Sequence, residues 1–267
     1  MRLVATRVTG LVTIQDLGRP GRMHEALPPA GALVPELLVA ANRAARNPDH
    51  APALEVFGQL VVRAEPDEHD SSCAIAVDDK PRILRATEEV VVTSEPRRVA
   101  YLAARGGFAA PLVLGGRATQ LSAGIGAPIR TGAHLSLAIE PEPGSGRELG
   151  PFDDTSPIRV LPGPDLDAFP PDAFDRLVAT PYRISPRSDR VGTRLEGPPI
   201  QRRADRVDPS RPMVRGAIEV PGDGMPIILG PEHPTTGGYP ILAVIAHADL
   251  GRCFAIRIGG MLALSRR

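Results

Sequence analysis

The ten residues P-E-H-P-T-T-G-G-Y-P, at positions 231–240, decide how the second half of this chain is built. The prolines and the glycine pair of this stretch exclude a helix and a regular central strand, so they predict a loop of fixed shape. Apolar runs of strand length precede the loop at 225–229 and follow it at 241–246. Two predicted strands therefore present a rigid loop, in which Gly237 and Gly238 let backbone or ligand approach closely. An ordinary tight turn is the alternative that the same residues allow.

The composition argues against several classes of protein. The 267 residues include 31 Lys and Arg and 31 Asp and Glu, whereas a nucleic-acid-binding domain normally carries a basic face. The only lysine, Lys80, lies in neither a P-loop pattern nor the M-K-M context of a biotin attachment site. Cys73 and Cys253 are far apart and the histidines lack ligand spacing, so no metal is expected. Because no apolar run has the length of a membrane span and no signal peptide is recognisable, we expect a soluble cytoplasmic protein.

Short apolar runs between turn residues predict a mainly β chain with barrel-type halves and a few short helices. Glycine (27) and proline (30) together supply about a fifth of the residues. The first half is predicted at 1–139, and the second half, which carries most of the candidate site motifs, at 158–267. Between them, residues 140–157 are rich in proline, glycine and acid, which is typical of a linker.

Three helices and a series of strands are predicted along the chain. The clearest helix, at 35–46, begins at Pro35, because proline suits the first helical position. Asp172 is expected to cap a short helix at 173–178, and residues 247–250 to form one helical turn. The strands are predicted at 3–8 and 11–14 as a hairpin-like opening, then at 54–57, 60–63, 73–77, 89–93, 99–105, 134–139, 158–161, 182–184, 214–220, 225–229, 241–246, 253–256 and 261–264.

Five segments, taken in order, resemble those of one family. They read T-I-Q-D-L-G-R-P-G at 13–21, R-V-A-Y-L-A-A-R-G-G at 98–107, S-D-R-V-G-T-R-L-E-G at 188–197, R-G-A-I-E-V-P-G-D-G at 215–224 and T-T-G-G-Y-P at 235–240. Together they resemble the biotin-dependent carboxyltransferase family, carboxyltransferase subdomains A and B, also called the allophanate hydrolase subunit 2 family. That family includes proteins like the C subunit of 5-oxoprolinase, the carboxyltransferase part of urea carboxylase and a partner of a sporulation kinase inhibitor.

This resemblance implies a fold, a reaction and partners. It implies two cyclophilin-like β-barrel-type halves and a subunit of an ATP-dependent amide or lactam hydrolase that converts 5-oxoproline to L-glutamate. The implied partners are a homologue of the 5-oxoprolinase B subunit (allophanate hydrolase subunit 1-like), an A-subunit homologue and a small-molecule substrate, without nucleic acid or membrane. No cofactor is expected to be bound covalently, and ATP is used by the complex. The alternatives are a catalytically degenerate regulatory partner of a B-subunit-like protein and the carboxyltransferase component of a urea carboxylase-type system.

This chain departs from the family pattern at four polar positions. Ala30 stands where the family usually has serine, and Val34 where it has aspartate. Glu219 replaces a glutamine, and Pro234 ends an E-H-P sequence where the family commonly has D-x-Q. Loss of polar groups where a rigid site needs them indicates an altered substrate or lost catalysis.

The candidate catalytic residues are Glu232, His233 and Glu219. Glu232 is a candidate general base or partner of a lactam N–H, and His233 can titrate near neutrality. The alternatives are a solvated carboxylate and an ordinary loop histidine.

The candidate substrate-binding residues suit anionic species. Arginines recognise carboxylates and phosphates with a planar fork, so Arg190 and Arg194, in a predicted loop at 185–199, and Arg19 are candidates. Arg190 can instead brace its own loop. The threonines and backbone amides of the 235–240 segment are candidates for an anion cradle: Thr235, Thr236, Gly237, Gly238 and Tyr239.

The motifs at 188–197, 215–224 and 231–240 are expected to converge on one surface cleft, because rigid loops on a strand scaffold commonly build sites. Arg190 is expected to anchor an anion there, with Glu219 and Glu232 nearby. If so, the double change Glu219→Gln and Pro234→Gln should strengthen binding of 5-oxoproline by about 1–3 kcal/mol.

Overall fold

The computed structural model describes residues 2–66, 72–138, 156–203 and 209–267. Two compact units account for them: residues 2–19, 30–66 and 72–138 form the first, and residues 20–29, 156–203 and 209–267 form the second. The sequence prediction assigned 20–29 to the first half, whereas the structure groups this segment with the second unit. The predicted linker at 140–157 lies outside the described residues except for its last two positions.

The described part of the first unit consists of seven strands, one α-helix and a short 3-10 turn. Their bounds are β1 (Arg2–Gln15), α1 (Pro35–Ala44), β2 (Ala53–Glu65), β3 (Ser72–Val77), β4 (Lys80–Arg85), β5 (Glu89–Thr93), β6 (Ala100–Ala104), a 3-10 turn (Leu121–Ala123) and β7 (His134–Leu135). One sheet runs in the order β4-β3-β6-β2-β1-β7, and β5 pairs with β2 beside it.

The long β1–β2 pair corrects two predictions. The sequence suggested a hairpin at Thr9-Gly10 and a break at Gly58-Gln59, but β1 and β2 pair antiparallel along their whole lengths. Gly10 and Gly58 lie opposite each other with φ of +99° and +94°. A Cβ on Gly10 would lie 2.1 Å from the Phe57 carbonyl oxygen, so glycine is required for close approach of the strands. Both glycines therefore lie within a continuous two-stranded ribbon, although the same residues are typical of turns when only the sequence is considered.

Helix α1 confirms the helix predicted at 35–46, with its end two residues earlier. Pro35 occupies the first turn, and the helix buries Leu37, Leu38 and Ala41. This face packs on β6, which is itself buried along its length. Apolar residues at helical spacing on one side therefore fix the helix against the sheet.

The described part of the second unit contains ten strands, two α-helices and three 3-10 turns. Their bounds are a 3-10 turn (Met23–Glu25), β8 (Ile158–Pro162), a 3-10 turn (Leu166–Ala168), α2 (Ala173–Ala179), β9 (Tyr182–Ile184), β10 (Gly192–Glu196), β11 (Arg211–Pro212), β12 (Ala217–Glu219), β13 (Ile227–Leu229), β14 (Thr236–Gly237), β15 (Ile241–Ile245), a 3-10 turn (His247–Asp249), α3 (Leu250–Ala255), β16 (Met261–Leu262) and β17 (Leu264–Arg266). The main sheet runs β16-β9-β10-β13-β12-β15-β8-β17, and β11 pairs with β14 separately. Only the β8–β17 pair is parallel among the described strand pairs of this unit.

Two predictions in the second unit are wrong. Residues 253–256 belong mainly to helix α3 and not to a strand, because a four-residue apolar run does not distinguish a buried helix from a buried strand. The predicted loop at 185–199 contains strand β10 in the interior of the main sheet. A Cβ on Gly192 would lie 2.7 Å from Cγ2 of Ile227, so this glycine serves strand packing and not a turn.

The predicted fold class is confirmed: the chain is mainly β, with barrel-type halves and a few short helices. Within the described ranges, none of the helices has both the length and the apolar character needed to cross a membrane.

Candidate functional site

Neighbouring strands of the second unit carry the three motifs that the sequence analysis selected. The 188–197 motif supplies β10, the 215–224 motif supplies β12, and β13 lies between these two strands. The 231–240 loop follows directly after β13. The order of strands in the sheet, which could not be predicted from the sequence, thus places segments that are distant along the chain next to each other.

Arg190 and Glu232 form a buried ion pair. The Arg190 Nε donates to the Glu232 Oε1 at 2.6 Å, and each side chain is only 6% exposed. The backbone joins the same two segments, because the Glu232 N–H donates to the Arg190 carbonyl at 3.1 Å and the Gly230 N–H to the Val191 carbonyl at 2.8 Å. Such a pair is strongly disrupted when one partner is removed, since the other charge is left buried. The geometry therefore favours a bracing role for Arg190, with Glu232 as the carboxylate it binds.

Asp189, next to Arg190, binds backbone N–H groups instead of another side chain. Its Oδ1 accepts hydrogen bonds from the Val191 and Gly192 N–H groups, both at 2.9 Å. The carboxylate therefore shapes the entry to β10 through the backbone.

His233 is packed in the interior of the second unit. It is 1% exposed, and its Nδ1 lies 2.7 Å from the Pro234 carbonyl oxygen, which fixes the proton on Nδ1 because a carbonyl only accepts. Burial lowers the pKa of His233, the bond to the Pro234 carbonyl opposes this, and the charge of Arg215 lowers the pKa further. The Arg215 guanidinium in turn lies 5.0 Å from the centre of the Phe254 ring. His233 is thus a packed ring whose surroundings disfavour the charged form.

Glu219 and Arg194 flank one buried residue of the central strand. Arg194 in β10 and Glu219 in β12 both pair with Ile227 of β13, so the three side chains lie in a row on the same face. Glu219 is half-buried and Arg194 is exposed. Burial raises the pKa of Glu219, and the nearby Arg194 guanidinium opposes the rise. Of the predicted charged residues in this unit, Glu219 and Arg194 are therefore the two that can meet a ligand from solvent.

The 235–240 segment forms a small ribbon and leaves an exposed tip. Thr236 and Gly237 pair with β11, and the Thr235 carbonyl accepts a hydrogen bond from the Met213 N–H at 3.0 Å. A Cβ on Gly237 would lie 2.5 Å from Cε of Met213, so packing on this methionine explains the glycine. Thr236, Gly238 and Tyr239 are exposed, and their role in binding an anion stays a prediction.

Arg19 belongs to the first unit, unlike the other ten predicted site residues. It is 1% exposed, and its guanidinium donates to the Ala118 carbonyl at 2.7 Å, the Val113 carbonyl at 3.2 Å and the Gln120 Oε1 at 3.3 Å. These bonds tie the 13–21 motif to the segment at 113–120. Arg19 is thus a bracing residue in the interior, and its predicted contact with substrate is unsupported by this geometry.

The departures from the family pattern have local consequences. Ala30 has a left-handed φ of +52°, and Val34 occupies the N-cap of α1, where it makes no side-chain capping bond. An aspartate at this position would have an oxygen for the free helix N–H groups, which valine lacks. The Val34 N–H itself is satisfied by the Tyr101 hydroxyl at 3.0 Å, and this hydroxyl donates to the Glu55 Oε2 at 2.6 Å. Pro234 is exposed.

A surface cleft of about 470 Å³ in this unit includes only the last part of one selected motif. Gly222, Asp223 and Gly224 line it together with residues 199–203, whereas Arg190 and Glu232 are not among its lining residues. Sequence reasoning missed the Gln201-Arg202-Arg203 stretch on its wall. Part of its signal was present, because a polar, basic run lies just after a Pro-Pro pair. Its position across the cleft from the G-D-G turn appears only in the structure. Within the ranges that the structure describes, no group of three or more His, Cys, Asp or Glu residues is placed to hold a metal ion.

Known proteins resemble this chain over most of its length. The family model described as carboxyltransferase domain, subdomain A and B, matches residues 26–266. The chain is 31% identical to the C subunit of 5-oxoprolinase from Escherichia coli (strain K12), over 92% of this chain and 85% of that protein. It is 28% identical to urea amidolyase of Lachancea kluyveri, over 92% of this chain and 16% of that protein.

Solved structures share the fold. The crystal structure of TTHA0988 matches with a TM-score of 0.82 at 26% identity, and this chain spans 56% of that chain. The crystal structure of the K. lactis urea amidolyase matches with a TM-score of 0.86 at 23% identity and is spanned to 18%, which shows the fold alone. Each match covers 99% of the present chain. The family model, the sequence relatives and the shared fold agree with the resemblance of the five motifs, and the chain belongs to the carboxyltransferase domain, subdomain A and B, family.

Proposed function

We propose that this chain is a subunit of a multi-subunit, ATP-dependent amide or lactam hydrolase that resembles 5-oxoprolinase. The observation that carries the proposal is 31% identity to the C subunit of the E. coli 5-oxoprolinase over 92% of this chain and 85% of that protein. The proposed reaction opens the ring of 5-oxoproline to L-glutamate in the cytoplasm, with ATP hydrolysed by the complex. A homologue of the B subunit is the required partner, and an A-subunit homologue completes the assembly.

Within this complex, the two groups that face solvent are the proposed contacts for anionic reaction species. Arg194 is exposed, and Glu219 lies in the same row across Ile227. A guanidinium suits phosphate or carboxylate groups of an intermediate, and Glu219 suits a hydrogen-bond donor. Arg190, Glu232 and His233 are proposed to hold the shape of the loop beside this row, because their side chains are buried.

The test is reconstitution of the complex. The chain is co-expressed with homologues of the A and B subunits from its own genome, and glutamate and ADP are measured with 5-oxoproline as substrate. We expect turnover by the complete complex and none by the chain alone, which lacks a P-loop pattern. Turnover by the isolated chain, or an assembled complex that does not convert 5-oxoproline, would contradict the proposal.

A second candidate is the carboxyltransferase component of a biotin-dependent, urea carboxylase-type system. It is favoured by the 28% identity to a urea amidolyase over 92% of this chain. Carboxyl transfer from carboxybiotin to urea, measured in the presence of a biotin carboxylase partner, would distinguish it from the hydrolase.

A third candidate is a regulatory partner of a B-subunit-like protein that performs no chemistry. It is favoured by the buried Arg190–Glu232 pair, which occupies a candidate base, and by Ala30 and Val34 at polar family positions. A stable complex with a B-subunit homologue that turns over neither substrate would select this candidate.

A further inference from the structure

A cavity of about 400 Å³ lies within the first unit and brings two family motifs together. The 13–21 motif contributes Asp16, and the 98–107 motif contributes Gly106. Such a volume is in the range of sites for small molecules. None of its lining residues is among the candidates for substrate binding or catalysis that the sequence suggests.

Asp16 is a buried carboxylate with unused capacity to accept hydrogen bonds. Asp16 is 6% exposed. Its Oδ1 accepts a hydrogen bond from the Gly18 N–H at 2.7 Å, and its Oδ2 accepts one from the Arg117 N–H at 2.6 Å. A carboxylate has about four acceptor positions, so these two bonds leave the others available. Among the described contacts of Asp16 there is no cation, and a buried carboxylate favours a donor or positive group beside it.

Arg117 supplies a positive group on the same wall. Its backbone is fixed by Asp16, and its Nη1 donates to the carbonyl of Ala110, which also lines the cavity. The side chain is exposed, so the remaining guanidinium N–H groups can meet an incoming ligand. His50 is a further lining residue with a polar ring. The cavity therefore combines a carboxylate with a guanidinium.

The rest of the lining is apolar and closely fitted. Phe108 is 1% exposed, and Leu112 is 64% exposed, so one side chain closes the interior and the other reaches solvent. A Cβ on Gly106 would lie 2.3 Å from the Ala138 carbonyl oxygen, so this part of the lining admits only glycine. A small ligand with an apolar body thus fits between groups of opposite charge.

We propose that this cavity binds a small cyclic amide that carries a carboxylate. The amide N–H donates to Asp16, the ligand carboxylate accepts from Arg117, and the ring packs against Phe108 and Leu112. The choice of 5-oxoproline as the ligand rests on the proposed function, because it has all three features. The first unit then recognises the lactam, while Arg194 and Glu219 of the second unit serve anionic reaction species.

Calorimetry on the full chain, alone and in complex with a B-subunit homologue, tests the site with 5-oxoproline as the probe. Arg117→Gln should weaken binding about tenfold or more, as expected for loss of a hydrogen bond to a charged group. Ala109→Phe, at an exposed lining residue, should abolish binding by filling the cavity. Arg130→Gln is the matched control, since Arg130 is an exposed arginine of the same unit outside the lining residues, and it should bind like the original chain.

A second probe isolates the role of Asp16. Cyclopentanecarboxylate lacks the amide N–H and should bind the original chain about tenfold less tightly than 5-oxoproline. In Asp16→Asn the two probes should differ less, provided that circular dichroism shows a folded variant. If that variant does not fold, the comparison of Arg117→Gln and Ala109→Phe with the control decides the matter.

The outcomes separate this proposal from the proposed function. Absence of 5-oxoproline binding at millimolar concentration, or unchanged binding by both cavity variants, would overturn the site. If the complete complex converts 5-oxoproline and the cavity variants convert it equally well, the site is wrong and the function stands. If the variants lose binding but the complete complex shows no turnover, the site stands and the function is wrong.

Discussion

The change Glu232→Gln tests whether the Arg190–Glu232 pair holds the second unit together. The variant keeps the shape of the side chain but leaves the Arg190 guanidinium, 6% exposed, beside a neutral group. Removing one partner of a buried pair costs about 3–5 kcal/mol. The amide oxygen can still accept one neutral hydrogen bond, which recovers about 1 kcal/mol. We therefore expect the free energy of unfolding to fall by roughly 2–4 kcal/mol.

Urea unfolding followed by circular dichroism measures this loss, with calorimetry to separate the transitions of the two units. With a slope of about 2 kcal/mol per molar urea, the midpoint for the second unit should fall by about 1–2 M. Arg176→Gln is the control, because the Arg176–Asp172 pair of the same unit is 3.9 Å long with side chains 49% and 63% exposed. Exposed pairs contribute about 0–1 kcal/mol. A Glu232 variant as stable as this control, yet inactive in the complex, would refute the bracing role and restore Glu232 as a catalytic candidate.

Three further predictions concern pH and backbone geometry. The hydrogen bond from Arg159 lowers the pKa of Asp249 from 3.8 to about 2. The ionised carboxylate therefore stabilises the folded state at pH values above 3.8, the pKa in the unfolded chain, and this contribution is lost as pH falls through 2. Asp249→Asn should lower the free energy of unfolding by about 2 kcal/mol at neutral pH, and the urea midpoint of the variant should change less between pH 2 and 7 than that of the original chain. Burial raises the pKa of Glu219 in the folded chain. This group therefore favours folding at pH values below about 4.5, its pKa in the unfolded chain, and this contribution is lost as pH rises through its pKa in the folded chain. Glu219→Gln should raise the Tm at pH 7, and the difference in Tm should vanish at pH 3. Gly58→Ala should destabilise the first unit by more than about 2 kcal/mol in urea, because φ is +94° and the new Cβ would lie 2.3 Å from the Thr9 carbonyl oxygen. Gly132→Ala is the control, because Gly132 has a similar φ of +87° but no atom near the position of a Cβ, so it should cost only the backbone strain of about 1–2 kcal/mol. Equal losses at the two glycines would contradict the packing argument.

Local pattern was sufficient for elements whose ends carry their own signals. The strand at 182–184 has the predicted bounds, and the helix at 35–46 begins at Pro35 as predicted. The errors occur where a residue type has two physical uses. Gly10 and Gly58 allow close approach of two strands, which the sequence does not distinguish from a turn.

The candidate site shows a similar limit. The sequence placed Arg190 and Glu232 near each other, but it did not show that they satisfy each other in the interior. Conversely, nothing in the local sequence marks Asp16 as a carboxylate that is buried at a cavity. Whether a charge is exposed depends on which distant segments lie against it, as Arg117 does when its N–H donates to Asp16, and that information lies in the tertiary fold.

The grouping of residues 20–29 with the second unit has a consequence for synthesis on the ribosome. This segment leaves the exit tunnel long before residues 156–203 and 209–267, with which it is grouped, have been made. At about 5–20 residues per second the wait is on the order of ten seconds, during which the first unit can fold. A fragment that begins after the first unit lacks part of the second, so expression of residues 156–267 alone should give an incomplete product. Supplying residues 20–29 as a separate peptide is then a direct way to ask how much of the second unit's order depends on them.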